Sequence, residues 1–211
     1  MTPEADRRTP FHDLDEFLAL PRVSGLAVSP DGSRIVATVA RLNDKRTEFV
    51  SALYELDPAA RRPARRITHG AKGESAPAFT HDGDLLFVAS RPGADDDKPA
   101  GKALWRLPAA GGEAVEVVTM PGGVDGVLAA SAAAVTVVSS SMMPSASDVD
   151  DDRRLRAART DNSISAVLHT GYPVRHWDHD LGPELPHLFD VSTAGTRRDL
   201  TPQPASGLRD A

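Results

Sequence analysis

Apolar residues along this chain recur in short runs of β-strand character. In the segment Phe49–Leu56, Val50, Ala52 and Tyr54 alternate with polar neighbours such as Ser51 and Glu55, the period of two that places one face of a strand against a core. Other runs rich in Val, Ile, Leu and Phe lie at 23–28, 34–40, 85–90, 103–107 and 114–120. Turn-forming residues separate most of them, so we predict an all-β chain.

The strand pattern repeats at a spacing of 51 residues. The turn Ser-Pro-Asp-Gly at 29–32 reappears as Thr-His-Asp-Gly at 80–83. The step Ala-Leu-Tyr at 52–54 reappears as Ala-Leu-Trp at 103–105. A repeat of roughly 40 to 50 residues made of four strands is typical of one blade of a β-propeller.

A third, stretched copy follows the first two. The small-Leu-aromatic step recurs only at His187-Leu188-Phe189, which implies about 33 inserted residues. We predict an incomplete propeller over residues 23–204, with blades at 23–70, 74–123 and 125–204 and an insertion at about 140–186. Closed rings use roughly four to eight blades. We therefore expect a partial β-propeller of about three four-stranded antiparallel blades, a truncated end at 205–211, and missing blades that follow residue 211.

A short helix is predicted before the first blade. Phe11, Leu14, Phe17 and Leu18 fall near helical spacing, and Pro21 ends the pattern. We interpret residues 1–22 as a polar tail followed by a capping helix.

Composition narrows the class of function. The net charge of −6 provides no excess of cations to neutralise phosphates, which argues against a nucleic-acid partner. The absence of cysteine excludes disulfides and thiolate chemistry. No run approaches the ~18 apolar residues of a membrane span, and no secretory leader is visible, so no membrane partner and a cytoplasmic location are expected.

The insertion holds the densest chemistry of the chain. It opens with acidic residues at 148–152, followed closely by arginines at 153–159. We interpret this pattern as a self-paired solvated loop or helix, with a charged loop steering substrates or meeting a partner domain as the alternative. Further on, His169, His176, His179 and His187 lie near Asp178 and Asp180. Their spacing lacks paired helical ligands, so a packed loop is favoured over a metal site, and neither a metal nor a cofactor is predicted.

No catalytic set is recognisable in the sequence. Ser24 and Ser75 lack the flanking glycines of a nucleophile elbow. Glu48, Glu55 and Glu74 are isolated in sequence, and we interpret each as a surface carboxylate. Catalytic residues are therefore predicted to be absent from this chain, and substrate-binding residues stay unassigned.

The helix and the first turn together resemble a known family. The opening Phe-His-Asp-Leu at 11–14, Leu-Pro-Arg-Val at 20–23 and Ala-Val-Ser-Pro-Asp-Gly at 27–32 resembles serine peptidases of the prolyl oligopeptidase family, of the acylaminoacyl-peptidase and dipeptidyl-peptidase type. The Arg-His-Trp-Asp-His segment at 175–179 is similar to a blade insertion in bacterial members. The resemblance implies a propeller that covers a C-terminal α/β-hydrolase domain and admits short peptides.

These observations predict a lid or gating portion of a peptidase. The reactive serine is expected in an α/β-hydrolase domain outside the chain, so these 211 residues alone are predicted to be inactive. The alternative is a non-enzymatic interaction module of the TolB-like or WD-like kind.

Overall fold

Three four-stranded antiparallel sheets dominate the structure. The computed structural model describes residues 9–91, 101–169, 174–177, 179–180, 182–192 and 195–202. The strands of the first sheet are β1 (Arg22–Val28), β2 (Ile35–Leu42), β3 (Phe49–Leu56) and β4 (Arg65–Arg66). Those of the second are β5 (Glu74–Phe79), β6 (Leu85–Ala89), β7 (Ala103–Leu107) and β8 (Val115–Thr119).

The third sheet is interrupted by the insertion. Its strands are β9 (Gly126–Ala129), β10 (Thr136–Met142), β13 (Leu185–Val191) and β14 (Arg197–Asp199). The insertion holds helix α2 (Val149–Asp161) and a two-stranded ribbon of β11 (Arg175–His176) and β12 (His179–Asp180). Each large sheet runs in chain order from its first strand to its fourth. The predicted all-β propeller-type fold of three four-stranded blades is confirmed.

The Asp-Gly turns at 29–32 and 80–83 have the same backbone geometry and join the first two strands of their sheets in the same way. Gly32 (φ +71°) and Gly83 (φ +85°) both adopt the left-handed conformation that glycine permits most easily. Gly32 N donates to Ser29 O at 2.8 Å, and Gly83 N donates to Thr80 O at 3.0 Å. Asp31 lies in the first turn and accepts from Ser29 Oγ at 2.5 Å. The hydrogen bonds from Ser29 and Ser33 lower the pKa of Asp31 from 3.8 to about 2.

The second sheet is buried on both faces. Strand β6 is apolar throughout because both of its faces are buried. Leu85 and Phe87 face the first sheet, and Leu86 and Val88 face the third. All four side chains are at most 3% exposed. One core lies between sheets one and two, with Val36, Leu53, Phe79, Leu85, Phe87 and Ala89. The other lies between sheets two and three and includes Leu104, Val124, Val138, Met142 and Phe189.

Each outer sheet packs one face on the second sheet. The opposite face of the first sheet is buried at its centre, where Ala37 and Ala52 are 1% and 4% exposed, and exposed along β1. Val23, Leu26 and Val28 of β1 are 70%, 67% and 52% exposed, and Leu128 of β9 is 76% exposed. Two sheet faces with exposed apolar side chains therefore lie at the two ends of the stack.

The predicted N-terminal helix is present but short. A 3₁₀ turn (Pro10–His12) leads into α1 (Leu14–Ala19), whose first turn is capped by Asp13 Oδ1 accepting from Asp15 N and Glu16 N. The apolar side chains of this segment stay open to solvent, with Phe11 73% and Leu14 71% exposed. A capping role for the helix stays a prediction.

Several segments singled out in the sequence lie outside the described residues. These are the tail 1–8, the acidic loop with Asp95, Asp96 and Asp97, residues 170–173, Asp178, and the end 203–211. The division into a tail, a propeller at 23–204 and a terminal segment stays a prediction.

Candidate functional site

Helix α2 attaches the insertion to the third sheet through a buried ion pair. Asp152 is completely buried, and its Oδ1 accepts from Met143 N at 2.8 Å. Its Oδ2 accepts from Arg156 Nε at 2.9 Å. Arg156 also donates to Glu184 Oε1 at 2.8 Å and to Ser141 O at 3.0 Å. Burial works to lower the pKa of Arg156, but the hydrogen bonds to Glu184 and Asp152 outweigh it and raise that pKa.

Four further charges of α2 pair with one another along the helix surface. Arg153 pairs with Asp150 and Arg154 with Asp151, each three residues apart. The prediction of a self-paired charged segment is confirmed for these pairs. Asp152 departs from it because its side chain faces the sheet instead of solvent.

A serine, a histidine and an aspartate meet in the third sheet. His187 Nδ1 lies 2.9 Å from Asp199 Oδ2, and Ser140 is the register partner of His187 across β10 and β13. Ser140 is 1% exposed, and its Oγ has no hydrogen-bond partner among the described residues. The serine is therefore neither linked to the imidazole nor open to a substrate, so the arrangement lacks the relay of a serine hydrolase.

The histidines of the insertion are only partly described. His169 is exposed, and His176 and His179 pair with each other in the β11–β12 ribbon, although their side chains and Asp178 lie outside the described residues. Within the described part of the chain, no group of three or more His, Asp or Glu side chains is placed to hold a metal ion.

The strongest candidate binding site is a cleft of about 770 Å³ between the first and second sheets, the Arg91 cleft. Arg91, two residues after the end of β6, supplies its main positively charged side chain. Lys72 and His69 supply further nitrogen donors from the loop that joins the two sheets, and the Phe87 and Trp105 rings form part of its wall. The cleft thus combines basic side chains with an aromatic surface, and Glu113 adds one carboxylate to its lining.

A buried carboxylate fixes Arg91 in this cleft. Glu74 Oε1 accepts from Arg91 Nη2 at 3.1 Å and from Gly70 N at 2.5 Å, and the Glu74 side chain is completely buried. The Arg91 guanidinium lies 4.9 Å from the Trp105 ring centroid and 5.2 Å from that of Phe87. Charge pairing and cation–π attraction together hold the guanidinium in place.

The neighbouring Gly70 permits this arrangement. A Cβ at Gly70 would collide with Glu74 Oε1, so a larger residue would displace the carboxylate. Glu74 Oε2 and Arg91 Nε are both buried without a hydrogen-bond partner among the described residues. The pair is therefore held by fewer hydrogen bonds than its charges could make.

The interpretation of Glu74 as a surface carboxylate is wrong. The pairing of β5 with β6 places Glu74 beside Arg91, which lies 17 residues further along the chain. The arginine provides the buried carboxylate with an ion-pair partner. Glu48 is exposed as predicted. Glu55 is half-buried between Arg34 and Arg65, at 2.7 Å from each. Burial works to raise the pKa of Glu55, but the hydrogen bonds from the two arginines outweigh it and lower that pKa.

A second, smaller cavity of about 360 Å³ lies between the second and third sheets. Its floor is apolar, with Leu86 and Leu104 among its lining residues. At its rim, Arg106 forms an ion pair with Asp84, with 3.5 Å between Arg106 Nη1 and Asp84 Oδ2. The Arg91 cleft is the larger of the two and has the more accessible cations.

Neither helix among the described residues has the length and apolar character needed to cross a lipid bilayer.

Comparison with known proteins yields peptidase propellers. No family model matches the chain. Dipeptidyl-peptidase 5 of Porphyromonas gingivalis is 35% identical over 96 residues, which cover 44% of this chain and 14% of that protein. The acylaminoacyl peptidase of Pyrococcus horikoshii matches 88% of this chain and 26% of its own, with a TM-score of 0.58 and 8% identity. The chain resembles the propeller portion of these peptidases.

A third similar structure represents a different class. A structure from Agrobacterium tumefaciens assigned as TolB matches 85% of this chain and 49% of its own, with a TM-score of 0.50 and 19% identity. The structural matches establish the propeller fold, and the chain spans only part of each of these proteins. The resemblance to peptidase propellers drawn from the sequence is confirmed.

Proposed function

We propose that this chain is the propeller portion of a serine peptidase of the prolyl oligopeptidase family that hydrolyses short peptides. Its catalytic partner is an α/β-hydrolase domain that carries the reactive serine. The observation that carries the proposal is the 35% identity to a dipeptidyl peptidase, which comes together with the three-sheet propeller fold. In this proposal the sheets form a lid that admits short peptides to the catalytic domain.

The Arg91 cleft gives this proposal a point of contact for substrate. Glu74 neutralises one positive charge, but Lys72 is exposed at the mouth and remains available to an anion. A peptide carboxylate can pair with Lys72 near the Arg91 side chain, which is 24% exposed, while an adjacent apolar side chain packs on Trp105. The cleft therefore suits the carboxylate end of a short peptide.

The test uses the complete reading frame that contains these residues. The product is assayed with fluorogenic dipeptidyl and acylaminoacyl substrates, and a folded protein serves as the size control. We expect hydrolysis of the short substrates only, and no hydrolysis by the 211-residue chain. A product without peptidase activity, or turnover by the 211 residues alone, would contradict the proposal.

The second candidate function is a propeller interaction module without an enzymatic partner. The match to the TolB structure supports it, because that match shows the same propeller fold over 85% of this chain. A reading frame that encodes further sheets and no α/β-hydrolase domain would favour this candidate over the peptidase.

A further inference from the structure

The two uncovered sheet faces are not alike, and the internal repeat shows what each one fits. We call the open face of the first sheet the head face and the open face of the third sheet the tail face. The head face carries Val28 and Ile35, which are register partners, and Tyr54 and Leu56 of β3. The tail face carries Leu128 and Val137, also register partners, with Leu188 and Leu200 beyond them.

The head face corresponds to a face of the second sheet that is already covered. At the same repeat positions the second sheet has Phe79 and Leu85, which are also register partners. Phe79 is 6% exposed and Leu85 is 0% exposed because the first sheet packs on them, whereas Val28 is 52% exposed. An arginine above an aromatic ring recurs as well, with Arg91 above Trp105 in the second sheet and Arg41 above Tyr54 in the first.

The tail face corresponds to the face by which the first sheet packs on the second. In the first sheet Leu53 N donates to Thr68 Oγ1 at 2.9 Å, and Ile67 N donates to Leu53 O at 2.8 Å. In the third sheet Leu188 N donates to Thr201 Oγ1 at 3.0 Å, and Leu200 N donates to Leu188 O at 2.8 Å. Leu53 and Ile67 contact the second sheet, whereas Leu200 is 42% exposed.

One end of the stack therefore presents the surface that accepts a sheet, and the other end presents the surface that packs on one. We propose that a second copy of this chain docks head to tail, the tail face of each copy on the head face of the other. Contacts of this head-to-tail kind form a ring when the rotation closes. Two copies supply six sheets, within the range of known propeller rings. This inference concerns self-association of the 211 residues and does not rest on the peptidase proposal.

Two substitutions test the faces separately. Leu26→Lys places a charge on the head face, and Leu128→Lys places one on the tail face. Both side chains are at least 67% exposed in a single copy, so neither change is expected to disturb folding. Val115→Lys is the matched control, since Val115 is 45% exposed on β8 of the second sheet and belongs to neither face.

Molecular mass is measured by light scattering after size exclusion, at tens of micromolar protein. We expect the wild type and Val115→Lys to elute at twice the 22.4 kDa chain mass, and each face variant to elute as a monomer. An equimolar mixture of the two variants should regain the two-chain species, because the mixture keeps one unmodified head–tail pair. A monomeric wild type, an open polymer, a face variant that stays dimeric, or a mixture that stays monomeric would each overturn the proposal.

Discussion

Removal of the Arg91 guanidinium is expected to destabilise the chain far more than removal of an exposed arginine. In Arg91→Met the flexible stem is kept, but Glu74, which is completely buried, loses its ion-pair partner and keeps only the Gly70 N–H. Breaking a buried ion pair by removing one partner costs about 3–5 kcal/mol. Because 24% of the Arg91 side chain is exposed, water can replace part of the lost interaction, and we expect the lower end, about 3 kcal/mol.

The assay is urea denaturation followed by tryptophan fluorescence. Trp105 is packed beside Arg91, whereas Trp177 is 89% exposed, so the change in signal reports mainly on this region. With a urea dependence of about 2 kcal/mol per molar, a loss of about 3 kcal/mol moves the midpoint down by roughly 1.5 M.

Two further variants decide whether the charge pair is the cause. Arg65→Met is the matched control, since Arg65 is 73% exposed in its pair with Glu55 and such surface pairs contribute about 1 kcal/mol or less. Glu74→Met combined with Arg91→Met removes both charges and should recover most of the stability. If Arg91→Met costs no more than Arg65→Met, or if the double variant is less stable than Arg91→Met alone, the reasoning is refuted.

Three other predictions concern the turn, the insertion and the inter-sheet loop. The pKa of Asp31 is lowered from 3.8 to about 2, so the ionised carboxylate stabilises the fold above pH 4 and this stabilisation is lost as the pH falls toward 2. The difference in melting temperature between wild type and Asp31→Asn should therefore shrink between pH 4 and pH 2. Asp152→Ala leaves Arg156 without its buried partner and should make the segment that contains α2 sensitive to limited proteolysis, while the three sheets keep their circular-dichroism signal. Gly70→Ala forces a Cβ against Glu74 Oε1 and should destabilise the chain by about 1–3 kcal/mol in the same urea assay, and an unchanged midpoint would contradict this.

The strands and their grouping could be predicted because local patterns encode them. The repeated Asp-Gly turns predicted the hairpins, and Gly32 and Gly83 adopt the conformation those turns require. Strand β10 begins at Thr136, after a loop in which Ala130 N donates to Val135 O, and this loop replaces the tight turn of the first two sheets. Residues 130–135 contain no Asp-Gly step, whereas such a step marks the corresponding turns of the first and second sheets.

The Arg91 cleft could not be predicted because its parts are distant in the sequence. Glu74 and Arg91 meet only through the register of β5 with β6, and Trp105 arrives from the next strand. Nothing in the sequence around Glu74 indicates that its partner is Arg91, so its burial could not be foreseen. By contrast, the sequence predicted that the acidic residues and arginines at 148–159 pair with one another in a loop or helix, but not that Asp152 and Arg156 face the sheet.

The insertion leaves and re-enters the third sheet at adjacent points, since β10 and β13 are paired neighbours. The entropy of closing such an excursion grows slowly with its length, by about 0.6 kcal/mol for each doubling. The sheet can therefore exchange this segment for a shorter or longer one with little loss of stability. In an evolving lineage, this hairpin would be a natural place to acquire a new recognition module while the scaffold beneath it stays constant.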